Sequence, residues 1–142
     1  MKLFKNRLIK KKYIAFVQGK LARPTGDLRS TITDQTDKKF NKHIQGKLAV
    51  TKYKVQQLKK QYTIVEVEPI TGRTNQIRIQ FSQIGNPLVG DRKFSFARDF
   101  DLKFRRTALH AQSLECKNPI NQQVIHVTAP LPEDMEVFLA RN

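Results

Sequence analysis

From Lys12 to Gly19, apolar side chains fall on both parities of a two-residue repeat, Tyr13, Ala15 and Val17 on one and Ile14 and Phe16 on the other. That pattern predicts a strand covered on both faces. Arg23-Pro24-Thr25-Gly26 carries turn chemistry. From Leu28 to Thr33 the set Leu28, Ser30, Ile32 alternates with Arg29, Thr31, Thr33, which predicts a second, short strand. Asp34 to Gly46 is polar and reads as a loop. Leu48 to Leu58 and Tyr62 to Ile70 then form the two strands of an expected hairpin, joined by Lys59-Lys60-Gln61. In the second of these, Ile64, Glu66 and Glu68 alternate with Val65 and Val67, as in a sheet with one dry face, and Pro69 ends the ladder.

A helical period follows the turn Thr71-Gly72-Arg73. Thr74 is an N-cap residue type, and Ile77, Phe81 and Ile84 recur at helical spacings before Gly85-Asn86-Pro87 ends the run. Phe94 to Phe104 has no readable period. Leu109 to Cys116 and Gln123 to Ala129 predict two more strands around Asn118-Pro119. Beyond Pro130 and Pro132, a terminal helix is expected over Glu133 to Ala140, with Met135, Phe138 and Leu139 on its apolar side. Strands in hairpin-like succession with helices inserted predict an α+β fold around a largely antiparallel mixed β-sheet. No repeat, low-complexity tract or linker divides residues 1–142, so a single domain is expected.

Charge changes the picture more than composition does. The chain holds 27 Lys and Arg against 12 Asp and Glu, for a formal net charge of +15. Within the first 60 residues there are 17 cations and three acids, so nearly all the excess lies there, and Lys10-Lys11-Lys12 runs directly into the first strand. Such a balance points to a polyanionic partner bound through its phosphates, with affinity that falls steeply as salt rises. No apolar run approaches the roughly 18 residues of a spanning helix, so no membrane partner is expected. The single Cys116 cannot form an internal disulfide, and with only His43, His110 and His126 the chain cannot build a multi-thiolate zinc site. No metal is expected. Cys116 reads as a buried small apolar residue, and His110 and His126 as satisfied structural histidines. The N-terminus lacks the apolar stretch of a secretory signal, which makes the cytoplasm the default compartment.

Two segments stand out together, Thr71-Gly72-Arg73-Thr74-Asn75-Gln76-Ile77-Arg78 and Ile84-Gly85-Asn86-Pro87-Leu88-Val89-Gly90-Asp91. They resemble the RluA-type family of RNA pseudouridine synthases, whose signature here is Thr-Gly-Arg-Thr-His-Gln-Ile-Arg followed by Gly-His-Pro-Ile-x-Gly-Asp. Three further blocks match in order. Residues 11–19 resemble the family's Lys-x-Tyr-x-Ala-x-Val-x-Gly segment, residues 46–53 its Gly-Lys-x-Ala-x-Thr-x-Tyr segment, and Leu109-His110-Ala111 its Leu-His-Ala strand. Five ordered blocks spanning nearly the whole chain are far more specific than any one of them.

The resemblance implies isomerisation of uridine in rRNA or tRNA without cofactor or metal: the N-glycosidic bond breaks, the uracil turns, and it reattaches through C5. The family's catalytic aspartate belongs to a His-Arg-Leu-Asp segment expected before the first block, which this chain does not contain. Asp27, Asp34 and Asp37 lie in turn-like sequence and read as solvated or capping residues. The chain is thus expected to be the C-terminal part of a synthase catalytic domain, inactive alone, with a non-catalytic RNA-binding module of the same ancestry as the alternative. Arg78 matches the arginine that pairs with the absent aspartate, and Tyr13 the tyrosine that packs on the target base. Arg73 and Thr74, entering a helix, suit phosphate binding. Lys10, Lys11, Lys12, Lys47, Asn75 and Gln76 complete the expected RNA-binding set, and Ile77 is either a pocket wall or plain core. Asn75 and Asn86 replace the family's two histidines, where hydrogen bonding survives but titration does not, and Phe94 stands where a tyrosine is usual. If the missing part extends the sheet, the strand at Tyr13 or a neighbour presents an unpaired edge. A homodimer, or a partner chain that supplies the missing segment, would cover it.

Overall fold

The computed structural model describes residues 9–33, 46–95 and 102–142. The loop expected over Asp34 to Gly46 lies almost wholly outside the described residues, as do His43 and part of the Phe94 to Phe104 stretch. Six strands, β1 (Ile9–Gln18), β2 (Thr25–Ile32), β3 (Lys47–Leu58), β4 (Tyr62–Pro69), β5 (Leu109–Lys117) and β6 (Val124–Thr128), form one sheet in the order β2-β3-β4-β1-β5-β6. Every named pairing is antiparallel, including the expected β3–β4 hairpin. Among the described residues, two helices, α1 (Gln76–Gln83) and α2 (Glu133–Arg141), complete the α+β fold.

The two-sided pattern of β1 has a direct cause: the strand is central and each face carries its own core. On one face Ala15 and Val17 pack with Val65, Val67, Tyr53, Leu88 and the α1 residues Ile77 and Phe81. On the other, Ile14 and Phe16 pack with Tyr62, Ile64, Val89 and the α2 residues Met135 and Phe138. Phe16, Tyr62 and Phe138 meet ring to ring, with centroids 5.1 to 5.8 Å apart. Among the described residues the outer strands are therefore β2 and β6 and not the Tyr13 strand, because pairing order is set by long-range contacts that strand periodicity does not encode.

Several local expectations are corrected. The residue preceding α1 is Asn75, held in the left-handed region at φ 56°, and no side chain caps the helix. Thr74 is exposed. Thr74→Ala is accordingly expected to change stability by less than about 0.5 kcal/mol in urea denaturation, where loss of a true N-cap would cost about 1 kcal/mol. Ile84 lies just past the helix and is 44% exposed, so it is not part of the apolar stripe. Every residue of β6 is exposed, which leaves His126 in solvent and Cys116 only half covered. His110 does have a partner, the Ala129 carbonyl oxygen 3.1 Å from Nε2.

Candidate active site

Beyond the reach of α1, the sheet face that the helix covers opens into a cavity of about 700 Å³. Its lining includes Lys11 and Tyr13 from β1, Arg73 from the turn, and Asn75, Ile77 and Arg78 at the start of α1. Among the described residues, three cations and no acid line it. Tyr13 projects beside Val67 and Ala111, its register partners on β4 and β5. Ile77 is both wall and core: it lines the cavity and is 7% exposed in the cluster under α1.

Arg78 is held by three hydrogen bonds. Its Nε donates to Asp91 Oδ2 at 2.8 Å and its Nη2 to Oδ1 at 2.9 Å, a bidentate pair, while Nη1 donates to Asn75 Oδ1 at 3.3 Å. The Phe94 ring lies against the guanidinium, its centroid 4.9 Å from Cζ. The Asp91 side chain is fully buried, and Oδ1 also accepts from the backbone N–H groups of Lys93 and Phe94 at 3.0 Å each. Ser82 of α1 in turn donates to the Phe94 carbonyl, tying that loop to the helix. The guanidinium that the sequence assigns to an absent acid thus already holds a carboxylate of its own chain. Asp91 stood in the Gly90-Asp91 block, but nothing in the local sequence says that a residue 13 positions on folds back beneath Arg78.

The remaining expected RNA contacts divide. Strand alternation breaks the lysine run into two faces: Lys11 lines the cavity, whereas Lys12 pairs with Glu66 at 3.0 Å and Lys10 approaches Glu68 to 4.0 Å. The Glu66 carboxylate, by hydrogen bond and charge, holds the Lys12 ammonium above its ordinary pKa. Lys47 is exposed at the start of β3, and neither it nor Thr74 is among the cavity-lining residues. Gln76 is 4% exposed and serves the scaffold. Its Nε2 donates to Val50 O at 2.8 Å and Thr51 Oγ1 at 2.7 Å, and its Oε1 accepts from Arg73 N at 3.0 Å and Thr71 Oγ1 at 2.6 Å. An amide whose two ends are so committed anchors the motif turn on β3, and Gln76 also lines the cavity. Arg73 keeps its place in the cavity wall while its Nε donates to Leu48 O at 3.1 Å. Asn86, where the family has a histidine, donates to Gln18 O at 2.8 Å and so ties its loop to the end of β1.

Two carboxylates make the fold sensitive to acid. Burial pushes the Asp91 carboxyl up, but hydrogen bonds from Arg78, Phe94 and Lys93 outweigh it and hold the group below the ordinary range. Arg106 does the same for Asp134, through bonds of 2.7 and 2.9 Å. Both groups bind a proton less readily folded than unfolded, so their stabilisation is complete above the unfolded value of about 3.9 and is lost as pH falls through the lower native values. Urea midpoints are expected to be flat from neutrality to about pH 5 and to fall steeply below about pH 4. A midpoint unchanged at pH 2 would contradict this linkage.

Among the described residues, no group of three or more His, Cys, Asp or Glu side chains could hold a metal ion, and no helix is long and apolar enough to cross a membrane.

A family model described as RNA pseudouridylate synthase matches residues 1–83. The chain is 35% identical over 99% of its length to ribosomal large subunit pseudouridine synthase D of Blochmanniella floridana, covering 48% of that protein. It is also 35% identical to the uncharacterized RNA pseudouridine synthase YjbO of Bacillus subtilis, over 95% of this chain and 47% of the relative. The chain therefore spans about half the length of these curated relatives. The solved structure of human RNA pseudouridylate synthase domain containing 4 shares the fold, with a TM-score of 0.81 at 22% identity over 99% of this chain and 64% of that one. With the family model matching more than half its residues and the motif helix in place beside Tyr13, the chain belongs to the RNA pseudouridine synthase family, in its RluA-type branch.

Proposed function

We propose that this chain supplies the RNA-binding and base-positioning half of a uridine-isomerising site, acting on rRNA or tRNA, and that the carboxylate nucleophile comes from polypeptide outside the chain. The observation that carries this reading is the convergence of Tyr13 and Arg78 on one cavity lined, among the described residues, by cations and no acid. In this reading the target uridine leaves its stack and enters the cavity. Tyr13 packs on the base, Ile77 closes the apolar wall, and Lys11 and Arg73 meet the flanking phosphates. Arg78, with its rotation stopped by Asp91, Asn75 and Phe94, keeps a fixed cationic edge toward the cavity for an incoming carboxylate. The incoming acid would share that guanidinium with Asp91, which needs no rearrangement because an arginine has five N–H donors. No cofactor or metal enters this scheme. The incoming acid arrives from a preceding segment or from a partner chain.

The test is incubation of the chain with uridine-labelled tRNA and rRNA, with binding followed across a salt series. Binding that weakens steeply with salt and no pseudouridine formation by the chain alone are the expected results. Pseudouridine formed by the chain alone would overturn the missing nucleophile, and salt-independent binding would overturn the phosphate contacts. The existing Arg78–Asp91 pair also favours a second reading, a non-catalytic RNA-binding module whose arginine is fully employed in the fold. Restored isomerisation on adding the first half of a relative would exclude it.

A further inference from the structure

We propose that a second depression on the same sheet face, across Tyr13 from the main cavity, is a subsite for the nucleobase adjacent to the target uridine; this rests on reading the main cavity as the target site. The depression measures about 210 Å³, and its walls include Ala111, Gln112, Leu114 and Val127. Lys11 and Tyr13 line both hollows, so these two residues stand at the boundary between them. Whole small-molecule ligands occupy about 300–1,000 Å³; the smaller hollow therefore suits a single flat ring.

Its floor comes from a β-bulge. The β1–β5 register slips beside Tyr13, so that Tyr13 faces Ala111, Lys12 faces Ser113, and Gln112 is the extra residue between them. A bulge twists and re-aims the strand locally. Here it sets the small Ala111 methyl next to the tyrosine ring, where a larger side chain would fill the space. Leu114 and its register partner Val127 supply an apolar wall on the far side. Gln112 gives its carbonyl to Ala129 N at 2.8 Å, and its side chain carries an amide of the kind that reads base edges. Two successive nucleotides are joined by one phosphodiester, and a strand with a base in each hollow must carry that phosphate over the boundary where Lys11 stands. Among the described residues, no acid lines either hollow. Among the described residues, a polypeptide adding a strand would pair with the outer backbone edge of β6, whereas the depression lies on the sheet face formed by β1, β5 and β6.

The experiment is NMR titration of the chain with UMP, with the dinucleotide UpU, and with the same dinucleotide lacking one base. UpU is expected to bind at least about fivefold tighter than UMP, the gain of one stacked base, and the abasic dinucleotide to return toward UMP. UpU alone is expected to shift the Leu114 and Val127 amides. Val127→Asp at this exposed wall is expected to abolish the gain and leave UMP binding unchanged, while Thr31→Asp on the opposite edge strand leaves both. If UMP binds but UpU gains nothing, or the gain survives in Val127→Asp, or the abasic dinucleotide matches UpU, the subsite is overturned. It is equally overturned if Val127→Asp only dissociates a dimer, for the face is then a contact between copies. If neither UMP nor RNA binds, the reading of the main cavity fails first.

Discussion

Replacing Asp91 by alanine is expected to destabilise the chain by about 2–4 kcal/mol and to release Arg78 from its fixed orientation. The Asp91 side chain is fully buried and accepts four hydrogen bonds, two from Arg78 and two from the backbone of Lys93 and Phe94. Alanine leaves those backbone donors without a partner in a closed site. Arg78 is 25% exposed and can turn toward water, which keeps the expected loss below that for a wholly buried ion pair. Asp91→Asn should lose less, because an amide oxygen can still accept from the backbone while the charged fork is gone. Urea denaturation of Asp91→Ala, Arg78→Ala and the double variant gives the coupling, expected at about 1.5–3 kcal/mol. A coupling near zero would mean that the pair is an incidental contact and that Arg78 is positioned by something else. In the reading proposed above, RNA affinity falls less in Asp91→Asn than in Arg78→Ala, since the cation remains at the cavity wall.

The sequence made the strands and the motif helix legible for a reason that also explains its failures. Period-2 and helical patterns are local consequences of burial, so β1, the β3–β4 hairpin, and Ile77 and Phe81 on α1 could be placed without knowing the rest of the fold. Parity alone would also have separated Lys11 from Lys10 and Lys12, although as a run the three looked like one basic patch. What lay beyond local pattern was partnership over distance. The central place of β1 depends on β5, nearly a hundred residues on. The commitment of Gln76 depends on carbonyl and hydroxyl groups of β3. Family likeness identified Arg78 as a cation in need of an acid, but only three-dimensional geometry shows that Asp91 already meets part of that need.

Gly90→Ala is expected to be the most damaging single-methyl change, because the loop that presents Asp91 has no room at that point. Gly90 has φ +79°, a conformation that costs an L-residue about 1–2 kcal/mol. An added Cβ would also lie 2.0 Å from the Arg106 carbonyl oxygen, 2.9 Å from its carbon and 3.2 Å from Phe104 Cβ. The closest of these atoms belong to backbone that cannot swing aside. The neighbouring Val89 is held on both sides, its N–H donating to Phe16 O and its carbonyl accepting from Ala108 N, each at 2.8 Å. Relief must therefore come from displacing residues 90 and 91, which pulls the carboxylate off Arg78. Conformational strain and overpacking together give an expected loss of about 2–5 kcal/mol. Gly85→Ala separates the two contributions, since Gly85 has φ +84° with open space around it and should lose only about 1–2 kcal/mol. Thermal unfolding of the two variants decides the matter: equal losses would show that the Arg106 backbone yields freely. If the displacement of Asp91 is the main damage, Gly90→Ala should add less in an Asp91→Ala background than in the native chain, because the pair it disrupts is already gone.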